Sequence, residues 1–360
     1  MKHLPAAETV ADMAEIVRST SRLLPIGART KPTLTCTDAP LLPLAKLRGI
    51  TEHAVEDFTI TALAGTSLRE IDQALKETGQ RLGFDAPFMS AGATLGGVVA
   101  AGLNGPGSYR NGGIRDSVIG VTFIDGRGEI LAVGGRVAKN VAGFDLPKFF
   151  VGSLGRLGIL TEITLKVLPR PTCSRTYLIE VRQDQELVDC IQKISMGSGD
   201  LEAIDAQPLE RRILIRLSGS ADTFRSRIPV EYSSRLIAAE TESPTDSPWQ
   251  HLTRDLPDKQ DGALLKVPTN LRRVGDLIAL ARGQPDTQLY LTRAGDLAYL
   301  RTPSLMTGLR RKLTQAKFAS MLICGNGPLL SGSRTLFPAE QRIVSTLDPF
   351  EKFPPMTFAS

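Results

Sequence analysis

The sequence predicts an α+β protein built from two domains. Its 360 residues exceed what one hydrophobic core usually serves, and 42% hydrophobic and 22% charged residues are ordinary for a globular chain. In the first half, segments of helical spacing alternate with short apolar runs typical of strands. Of the 33 glycines, 18 lie between residues 81 and 160. This concentration indicates backbone that turns tightly or approaches a neighbour closely.

The first 80 residues predict two helices and two strands. Residues 6–19 and 67–78 carry apolar side chains at helical spacing, and Gly79 follows the second segment as a helix-ending signal. Residues 23–26 and 60–64 are short apolar runs of the length of a strand. Helices and strands therefore alternate before the glycine-rich window begins.

The glycine-rich window predicts a hairpin followed by one more strand. Residues 118–124 and 129–133 flank Asp125-Gly126-Arg127-Gly128, a typical hairpin turn. Residues 159–167 alternate apolar and polar side chains and run into Pro169-Arg170-Pro171. Because proline stops both sheet and helix, we predict an N-terminal domain of residues 1–171 and a C-terminal domain of residues 172–360.

The C-terminal half predicts a second α+β domain in which antiparallel pairing is plausible. Strands are predicted at residues 177–181, 212–217, 263–267, 288–292 and 320–324, and helices at 186–194, 271–281 and 304–316.

Charge and residue usage exclude several classes of protein. A net charge of +5 is mild, and it suits an anionic ligand better than nucleic acid. Residues 86–109 carry no charge, but their six glycines and two prolines exclude a transmembrane segment. The acidic residues Glu8, Asp12 and Glu15 stand where a signal peptide needs an apolar core. We therefore expect a cytoplasmic chain.

The four cysteines, at positions 36, 173, 190 and 324, predict no metal site. No two of them form the close pair that zinc or iron–sulfur centres use, so they are expected to be reduced thiols. Only three histidines occur, at positions 3, 53 and 251, which excludes a histidine-cluster metal site. No metal is predicted.

The first candidate binding segment directly follows a predicted strand. It consists of Pro25, Ile26, Gly27, Ala28, Arg29, Thr30 and Lys31. Glycine and small residues let consecutive amides converge on an anion, while Thr30 supplies a hydroxyl donor and Arg29 or Lys31 a positive charge. The alternative is an ordinary turn with basic side chains in solvent.

The second candidate segment opens a stretch of small residues. It consists of Ala93, Thr94, Leu95, Gly96 and Gly97. Glycine lowers helix propensity, so a helix that starts with glycines needs another reason for them. Here they would let a flat or phosphorylated ligand approach the main chain, and Thr94 would donate one hydrogen bond to it. The alternative is a tight helix crossing, since close packing also selects small residues.

The third candidate segment has glycine at every third position, at 152, 155 and 158. Main-chain groups of Gly158, Ile159 and Leu160 are suited to hydrogen-bond the edge of a heterocycle. The alternative is a loop that needs positive φ.

Other nucleotide motifs are missing from the sequence. No Gly-Lys dipeptide occurs, which excludes a Walker A loop. Gly105-Pro106-Gly107 is the nearest approach to a dinucleotide fingerprint, but Arg110 stands at the third glycine position and no strand precedes it. A Rossmann fold is therefore disfavoured.

The order of these segments resembles the FAD-binding domain of the vanillyl-alcohol oxidase and p-cresol methylhydroxylase (PCMH) superfamily. It is more closely similar to the FAD-binding subunits of bacterial glycolate oxidases. The matching motifs are P-x-G-x-x-T-K, A-T-x-G-G, the run at residues 139–146 and G-S-x-G-x-L-G-I-L-T-E-I, with residues 115–120 also fitting. The resemblance is strong over residues 1–171 and weak beyond them.

The resemblance implies a PCMH-type FAD-binding domain of two α+β subdomains, followed by a smaller α+β, cap-like domain. It implies that residues 27–31 wrap one side of the FAD pyrophosphate and residues 93–97 the other. Gly105 is expected near the isoalloxazine, residues 158–160 at the flavin or adenine, and Lys139 or Asn140 near the flavin ring. Covalent attachment in this superfamily uses a loop histidine, and none stands near Ala28, so the FAD is expected to be non-covalent.

The resemblance also implies a function. It predicts the flavoprotein subunit of a glycolate oxidase complex, which oxidises glycolate to glyoxylate with a catalytic flavin subunit and an iron–sulfur subunit. These partners would hold it at the inner face of the cell membrane. The related catalytic subunit has a histidine-rich motif that this chain lacks, so the catalytic residues are unassigned.

Two alternatives remain open at this stage. One is a self-sufficient FAD-dependent 2-hydroxy-acid dehydrogenase whose base is a tyrosine, arginine or lysine of the C-terminal half. The other is an assembly subunit that has lost FAD. The family's closing motif begins L-D-P, as at residues 347–349, but the two glycines that usually follow are missing here.

Overall fold

The computed structural model describes residues 2–135, 145–197, 201–219, 228–233, 235–238, 262–303, 307–332 and 338–356. The described residues form two compact units. The first unit is drawn from Met1–Asn104, Gly112–Arg170 and Arg334–Met356, and the second from Gly105–Asn111 and Pro171–Ser333. The chain leaves the first unit between Arg170 and Pro171, inside the proline pair. That the parts before and after residue 171 are independent domains stays a prediction.

Both units contain helices and strands, which confirms the predicted α+β class. The strands are β1 (Leu24–Ile26), β2 (Leu41–Pro43), β3 (Ile50–Ala54), β4 (Thr59–Leu63), β5 (Gln80–Leu82), β6 (Val118–Ile124), β7 (Ile130–Gly134), β8 (Ile159–Pro169), β9 (Ser174–Glu180), β10 (Leu201–Gln207), β11 (Arg212–Ser218), β12 (Ile237–Ala238), β13 (Ala263–Pro268), β14 (Gln288–Thr292), β15 (Leu297–Thr302), β16 (Ser320–Cys324) and β17 (Leu330–Ser331). The α-helices are α1 (Val10–Ser19), α2 (Leu68–Glu77), α3 (Leu95–Ala101), α4 (Ser108–Asn111), α5 (Ile114–Ser117), α6 (Asp184–Ser195), α7 (Val230–Ser233), α8 (Val274–Arg282), α9 (Thr307–Gln315) and α10 (Pro338–Leu347).

A sheet of six strands organises the first unit. Its order is β3-β4-β8-β6-β7, with β5 paired to the end of β8, and every pairing is antiparallel. β8 is 11 residues long and has neighbours on both sides, so Ile159, Ile163 and Leu165 are fully buried. The antiparallel order is not that of a Rossmann fold, which agrees with the sequence.

Local side-chain hydrogen bonds decide where the helices α1 and α2 begin. Thr9 and Asp12 form a reciprocal capping box, so α1 begins at Val10 and not at residue 6 as predicted. Ser67 accepts a hydrogen bond from the Glu70 amide and caps α2, close to the predicted start.

The predicted hairpin is confirmed as the β6–β7 pair. The buried Asp125 carboxylate accepts hydrogen bonds from the amides of Arg127 and Glu129 at 2.8 and 2.9 Å. Gly128 has φ +76°, and a Cβ there would lie 2.8 Å from the Ala14 carbonyl oxygen of α1. The turn therefore needs both the aspartate and the glycine that the sequence places in it.

A sheet of nine strands forms the second unit. Its order is β12-β9-β11-β10-β14-β15-β13-β16-β17, with antiparallel pairing throughout. Helices α6, α8 and α9 cover one face of this sheet with an apolar core that includes Leu187, Leu277 and Leu313. The antiparallel character predicted for this half is confirmed.

The other face of the same sheet carries several polar side chains. Side chains alternate between the two faces of a strand, so the neighbours of core residues in sequence point away from the helices. They include Asp205, Lys266, Tyr290, Thr292 and Tyr299, and all of these except Lys266 are buried. We call these five residues the polar face.

The end of the described chain packs in the first unit. Asp348 is buried, and its two carboxylate oxygens accept hydrogen bonds from the amides of Lys352 and Phe353, each at 2.8 Å. Phe353 enters the same apolar cluster as Met13 of α1, and the Leu23 amide donates to the Lys352 carbonyl oxygen at 2.9 Å. Residues 347–353 thus complete the core of the first unit.

Arg156 forms hydrogen bonds with the segment that follows Phe353. Its guanidinium is buried, and Nη1 donates to the carbonyl oxygens of Pro354 and Pro355 at 2.7 and 2.9 Å. Within the described ranges, no helix has both the length and the apolar character required to cross a membrane.

Replacing Asp348 by asparagine is expected to lower the free energy of unfolding by about 2 kcal/mol, because an amide offers one acceptor where two backbone amides now donate. Urea unfolding of the purified chain measures this. The matched control is Asp57→Asn, which changes an exposed carboxylate in the same way and should leave the stability unchanged. Equal effects of the two substitutions would contradict the role given to Asp348.

Candidate functional site

One cleft in the first unit brings most of the predicted binding residues together. It is lined by Pro25, Ile26, Gly27, Ala28, Arg29, Thr30, Lys31, Leu34, Thr35, Leu44, Ala64, Thr94, Gly96, Gly97, Ala100, Ala101, Leu154, Gly155, Gly158 and Leu160. These residues include two cations and no carboxylate, so the cleft suits an anionic ligand.

The loop at residues 27–31 leaves its amides available. β1 pairs in parallel with β2 and ends at Ile26, and the chain then turns through Arg29, whose φ is +53°. Among the described residues, the amides of Gly27, Ala28, Thr30 and Lys31 donate to no protein acceptor. A left-handed residue between such amides is the geometry of an anion-binding nest.

Lys31 places a buried positive charge beside this loop. Its side chain is 7% exposed, and burial lowers the pKa of the ammonium from 10.5 to about 8. Nζ donates to Thr30 Oγ1 at 3.0 Å and lies 5.0 Å from the centre of the Phe88 ring. Within the described part of the chain no carboxylate forms an ion pair with it. A buried cation of this kind favours an anion in the cleft.

Thr94 contributes a hydroxyl without a partner. It precedes α3 at the N-cap position, yet its side chain accepts no capping hydrogen bond. Its Oγ1 is buried and has no hydrogen-bond partner among the described residues. A Cβ on Gly27 would lie 2.2 Å from this oxygen, and one on Gly97 would lie 3.0 Å from it. Gly27 is therefore required for packing against Thr94 whatever the cleft binds.

Most of the other amides of the second predicted segment are already used. Those of Ala93, Leu95 and Gly96 donate to the carbonyl oxygens of Phe88, Thr66 and Ala64, at 3.1, 2.9 and 2.8 Å. The side chains of Ala93 and Leu95 are buried and do not line the cleft. Thr94 and Gly97 are the members of this segment that keep free donors.

Members of the third predicted segment also line the cleft. Gly155 has φ +71°, and a Cβ there would lie 2.9 Å from Pro25 Cγ. Gly158 has φ +149°, and its Cβ would lie 2.8 Å from the Ile124 carbonyl oxygen. Leu160 lines the cleft, whereas Ile159 points into the apolar core with Ile124.

The remaining predicted residues are Gly105, Lys139 and Asn140. Gly105 belongs to the second unit, where its carbonyl oxygen accepts a hydrogen bond from Ser108 Oγ at 2.7 Å. Lys139 and Asn140 lie outside the described residues. Sequence reasoning missed Leu34, Thr35, Leu44 and Ala64, which line the cleft but belong to no motif; their only signal is proximity to β1 and β2 or to β4.

The cysteines carry no metal site in the described structure, where no three metal-ligating side chains cluster. All four cysteines are free thiols, and burial raises the pKa of Cys190 to about 12. The described histidines also lie away from the cleft: His53 Nε2, for example, hydrogen-bonds Gln80 Oε1 at 2.8 Å.

Comparison with known proteins shows which family this chain belongs to. A model described as an FAD binding domain matches residues 2–134. Glycolate oxidase subunit GlcE of Escherichia coli is 33% identical over 313 residues, which span 86% of this chain and 84% of that protein. Glycolate oxidase subunit GlcD of Bacillus subtilis is 34% identical over 161 residues, 43% of this chain and 34% of that protein.

Solved structures agree on the fold. An alkyldihydroxyacetonephosphate synthase superposes with a TM-score of 0.69 at 15% identity, covering 97% of this chain and 75% of the other. The fold and the matched domain define a flavoprotein with an FAD-binding domain of the PCMH type. The chain belongs to the FAD-binding oxidoreductase family that includes the glycolate oxidase subunits GlcE and GlcD. The resemblance drawn from the sequence is confirmed.

Lys31→Met is expected to stabilise the FAD-free chain at about pH 7, because it replaces a buried charged side chain by an uncharged one of similar size. Since the lysine pKa is lowered on folding, the wild-type penalty is present below about pH 8 and disappears as the pH rises toward 10.5. The advantage of the variant should therefore shrink at about pH 10. Urea unfolding at the two pH values measures it.

The control for this prediction is Lys2→Met, because Lys2 is exposed. It should leave the stability unchanged at both pH values. If Lys31→Met lowers the stability by the same amount at both, the buried ammonium is not a cost to the free chain.

Proposed function

We propose that this chain is the FAD-binding subunit of a glycolate oxidase complex, which oxidises glycolate to glyoxylate. The observation that carries the proposal is the cleft itself. It combines free amides, an unpartnered hydroxyl and a buried cation, and its lining residues include no carboxylate to balance the charge. The two phosphates of FAD would supply the missing acceptors.

The residues of the cleft fit the different parts of FAD. The amides of residues 27–31, the Lys31 ammonium and the Thr94 hydroxyl would hold the pyrophosphate, and the Gly97 amide would add a donor. The apolar lining, which includes Leu34 and Leu160, would exclude water from the remaining surface. When bound, FAD supplies the centre that accepts and passes on electrons. The protein would bind and orient it, as an electron relay or as a structural cofactor.

We propose that the FAD is held without a covalent bond. None of the residues that line the cleft is a histidine, the residue type that the superfamily uses for attachment. Binding would therefore depend on the hydrogen bonds and charges described above, and FAD should be released when the protein unfolds.

We further propose that the chain works with partner subunits. The similarity to GlcE extends over most of both proteins, and GlcE and GlcD are each described as subunits of glycolate oxidase. A catalytic flavin subunit and an iron–sulfur subunit would complete the complex and connect it to the inner face of the cell membrane. The histidine-rich motif missing from this chain would then belong to the catalytic partner.

A second candidate function is a self-sufficient FAD-dependent 2-hydroxy-acid dehydrogenase. The observation that favours it is the polar face of the second unit, where two buried tyrosines and a half-buried lysine share a sheet face with a buried aspartate. Turnover of glycolate by the purified chain alone would support this candidate over the complex.

The direct test is the absorption spectrum of the purified chain. We expect the two visible bands of a flavin, and we expect acid precipitation to leave the flavin in the supernatant. Co-expression with the catalytic and iron–sulfur subunits should recover a complex that oxidises glycolate, while the chain alone should not. A colourless chain that also fails to bind added FAD would overturn the proposal in favour of an assembly subunit.

Thr94→Val separates binding from stability. The substitution keeps the side-chain shape but removes the unpartnered hydroxyl, so the FAD-free chain should be at least as stable as wild type. FAD affinity should fall about fivefold, as for one lost hydrogen bond of about 1 kcal/mol. Flavin fluorescence quenching measures the affinity, and thermal unfolding measures the stability.

The matched control is Thr61→Val. Thr61 Oγ1 and Thr164 Oγ1 are buried and hydrogen-bond each other at 3.0 Å, so this substitution should lower the stability and leave the FAD affinity unchanged. A Thr94→Val variant that behaves like this control would remove Thr94 from the binding site.

A further inference from the structure

Cys36 differs from the other three cysteines in its exposure. It is exposed to solvent, whereas Cys190 and Cys324 are buried and Cys173 is partly buried. Burial raises the pKa of Cys190 to about 12, so that thiol stays protonated at neutral pH and is inert. An exposed thiol is open to oxidants in solution, as a buried one is not. Oxidation of the folded chain is therefore expected to begin at Cys36.

The backbone places Cys36 beside the cleft of the first unit. It directly follows a short 3₁₀ helix at Pro32–Thr35, and Thr35 lines the cleft. Gly155, the residue before Arg156, lines the same cleft. Cys36 and Arg156 thus each follow a residue of this lining, although they are far apart in the sequence.

Arg156 brings a buried positive charge close to the Cys36 thiol. Arg156 is 6% exposed. Burial lowers the pKa of its guanidinium, and the charge of Cys36 raises it. Since the interaction between two charges falls with distance, this effect indicates that the two side chains are neighbours. An exposed thiol next to a positive charge is the setting in which reactive cysteines are found.

Two of the three guanidinium nitrogens of Arg156 have no acceptor. Nη1 donates to the carbonyl oxygens of Pro354 and Pro355. Nε and Nη2 are buried and have no hydrogen-bond partner among the described residues. Leaving charged donors buried and unused is costly, and a thiol sulfur is only a weak acceptor. An oxygen atom added to the sulfur of Cys36 would supply the acceptor that these donors lack.

We propose that Cys36 is a site of reversible oxidation, at which a hydroperoxide converts the thiolate to a sulfenate whose oxygen accepts a hydrogen bond from the unused donors of Arg156. The sulfur attacks one oxygen of hydrogen peroxide, so an S–O bond forms and the O–O bond breaks. The sulfur loses two electrons and the peroxide gains them. The departing hydroxide takes the proton of the new sulfenic acid and leaves as water. The added hydrogen bond would join the segment after Thr35 to the segment after Gly155.

The test is to treat the purified chain with hydrogen peroxide, trap sulfenic acid with dimedone and locate the adduct by mass spectrometry of peptides. We expect the adduct on Cys36 at about ten times the yield on Cys173, and full recovery of the thiol by dithiothreitol when dimedone is left out. Cys36→Ser should lose the adduct, and the matched control Cys173→Ser should keep it. No adduct on Cys36, or equal labelling of Cys173, would overturn the proposal.

The role of Arg156 is tested by Arg156→Met, which removes the charge and the unused donors. The yield of the dimedone adduct on Cys36 should fall about fivefold, because the sulfenate loses its partner and is oxidised further. A yield equal to that of wild type would overturn the part given to Arg156.

A second comparison decides the matter if Arg156→Met fails to fold. Cys36→Asp places carboxylate oxygens where the sulfenate oxygen would lie, and Cys36→Asn is the matched control without the charge. We expect Cys36→Asp to unfold about 2 °C above Cys36→Asn, since its oxygens accept from the unused donors of Arg156. Equal midpoints of thermal unfolding would overturn the pairing. None of these measurements requires bound FAD, so the proposal holds or fails independently of the proposed function.

Discussion

The candidate site of the first unit depends on one constraint, which is a buried positive charge that no carboxylate balances within the described part of the chain. The Lys31 ammonium is buried, donates to the Thr30 hydroxyl and lies 5.0 Å from the centre of the Phe88 ring. The amides of Gly27, Ala28, Thr30 and Lys31 and the Thr94 hydroxyl add donors to the same cleft. A folded chain whose buried donors lack acceptors is less stable. Binding of a ligand rich in phosphate oxygens supplies the acceptors and restores the stability. Gly27 follows from this arrangement, since a larger residue there would displace Thr94.

Much of the fold was predictable because the deciding interactions are local. The Asp125 hairpin, the start of α2 at Ser67 and the strands at residues 288–292 and 320–324 depend on neighbouring residues and on strong periodicity. The strands β3 and β15 were missed for different reasons. β3 spells ITEHA and is largely exposed, while β15 is buried on both faces and shows no alternation. Neither pattern is distinctive without its sheet partners.

The binding site was predictable from motifs only in part. Gly27, Gly97 and Gly158 were identified because glycine at such positions signals a close approach of the backbone, and the structure places all three at one cleft. The use of the Leu95 and Gly96 amides by the Thr66 and Ala64 carbonyl oxygens was not predictable, because it depends on residues far away in the sequence. The polar face was not predictable for the same reason. Asp205, Tyr290 and Lys266 stand in no common motif, and only the register of four strands brings them together.

The packing of residues 347–355 in the first unit has a consequence for biosynthesis. The helix α1, which holds Met13, is translated before the second unit, yet Phe353 and the Arg156 contacts to Pro354 and Pro355 become available only after the second unit has been made. The ribosome therefore presents an N-terminal half whose core is still open. Nascent chains must shelter that apolar surface, by chaperone or by the order of folding, until residues 347–355 emerge.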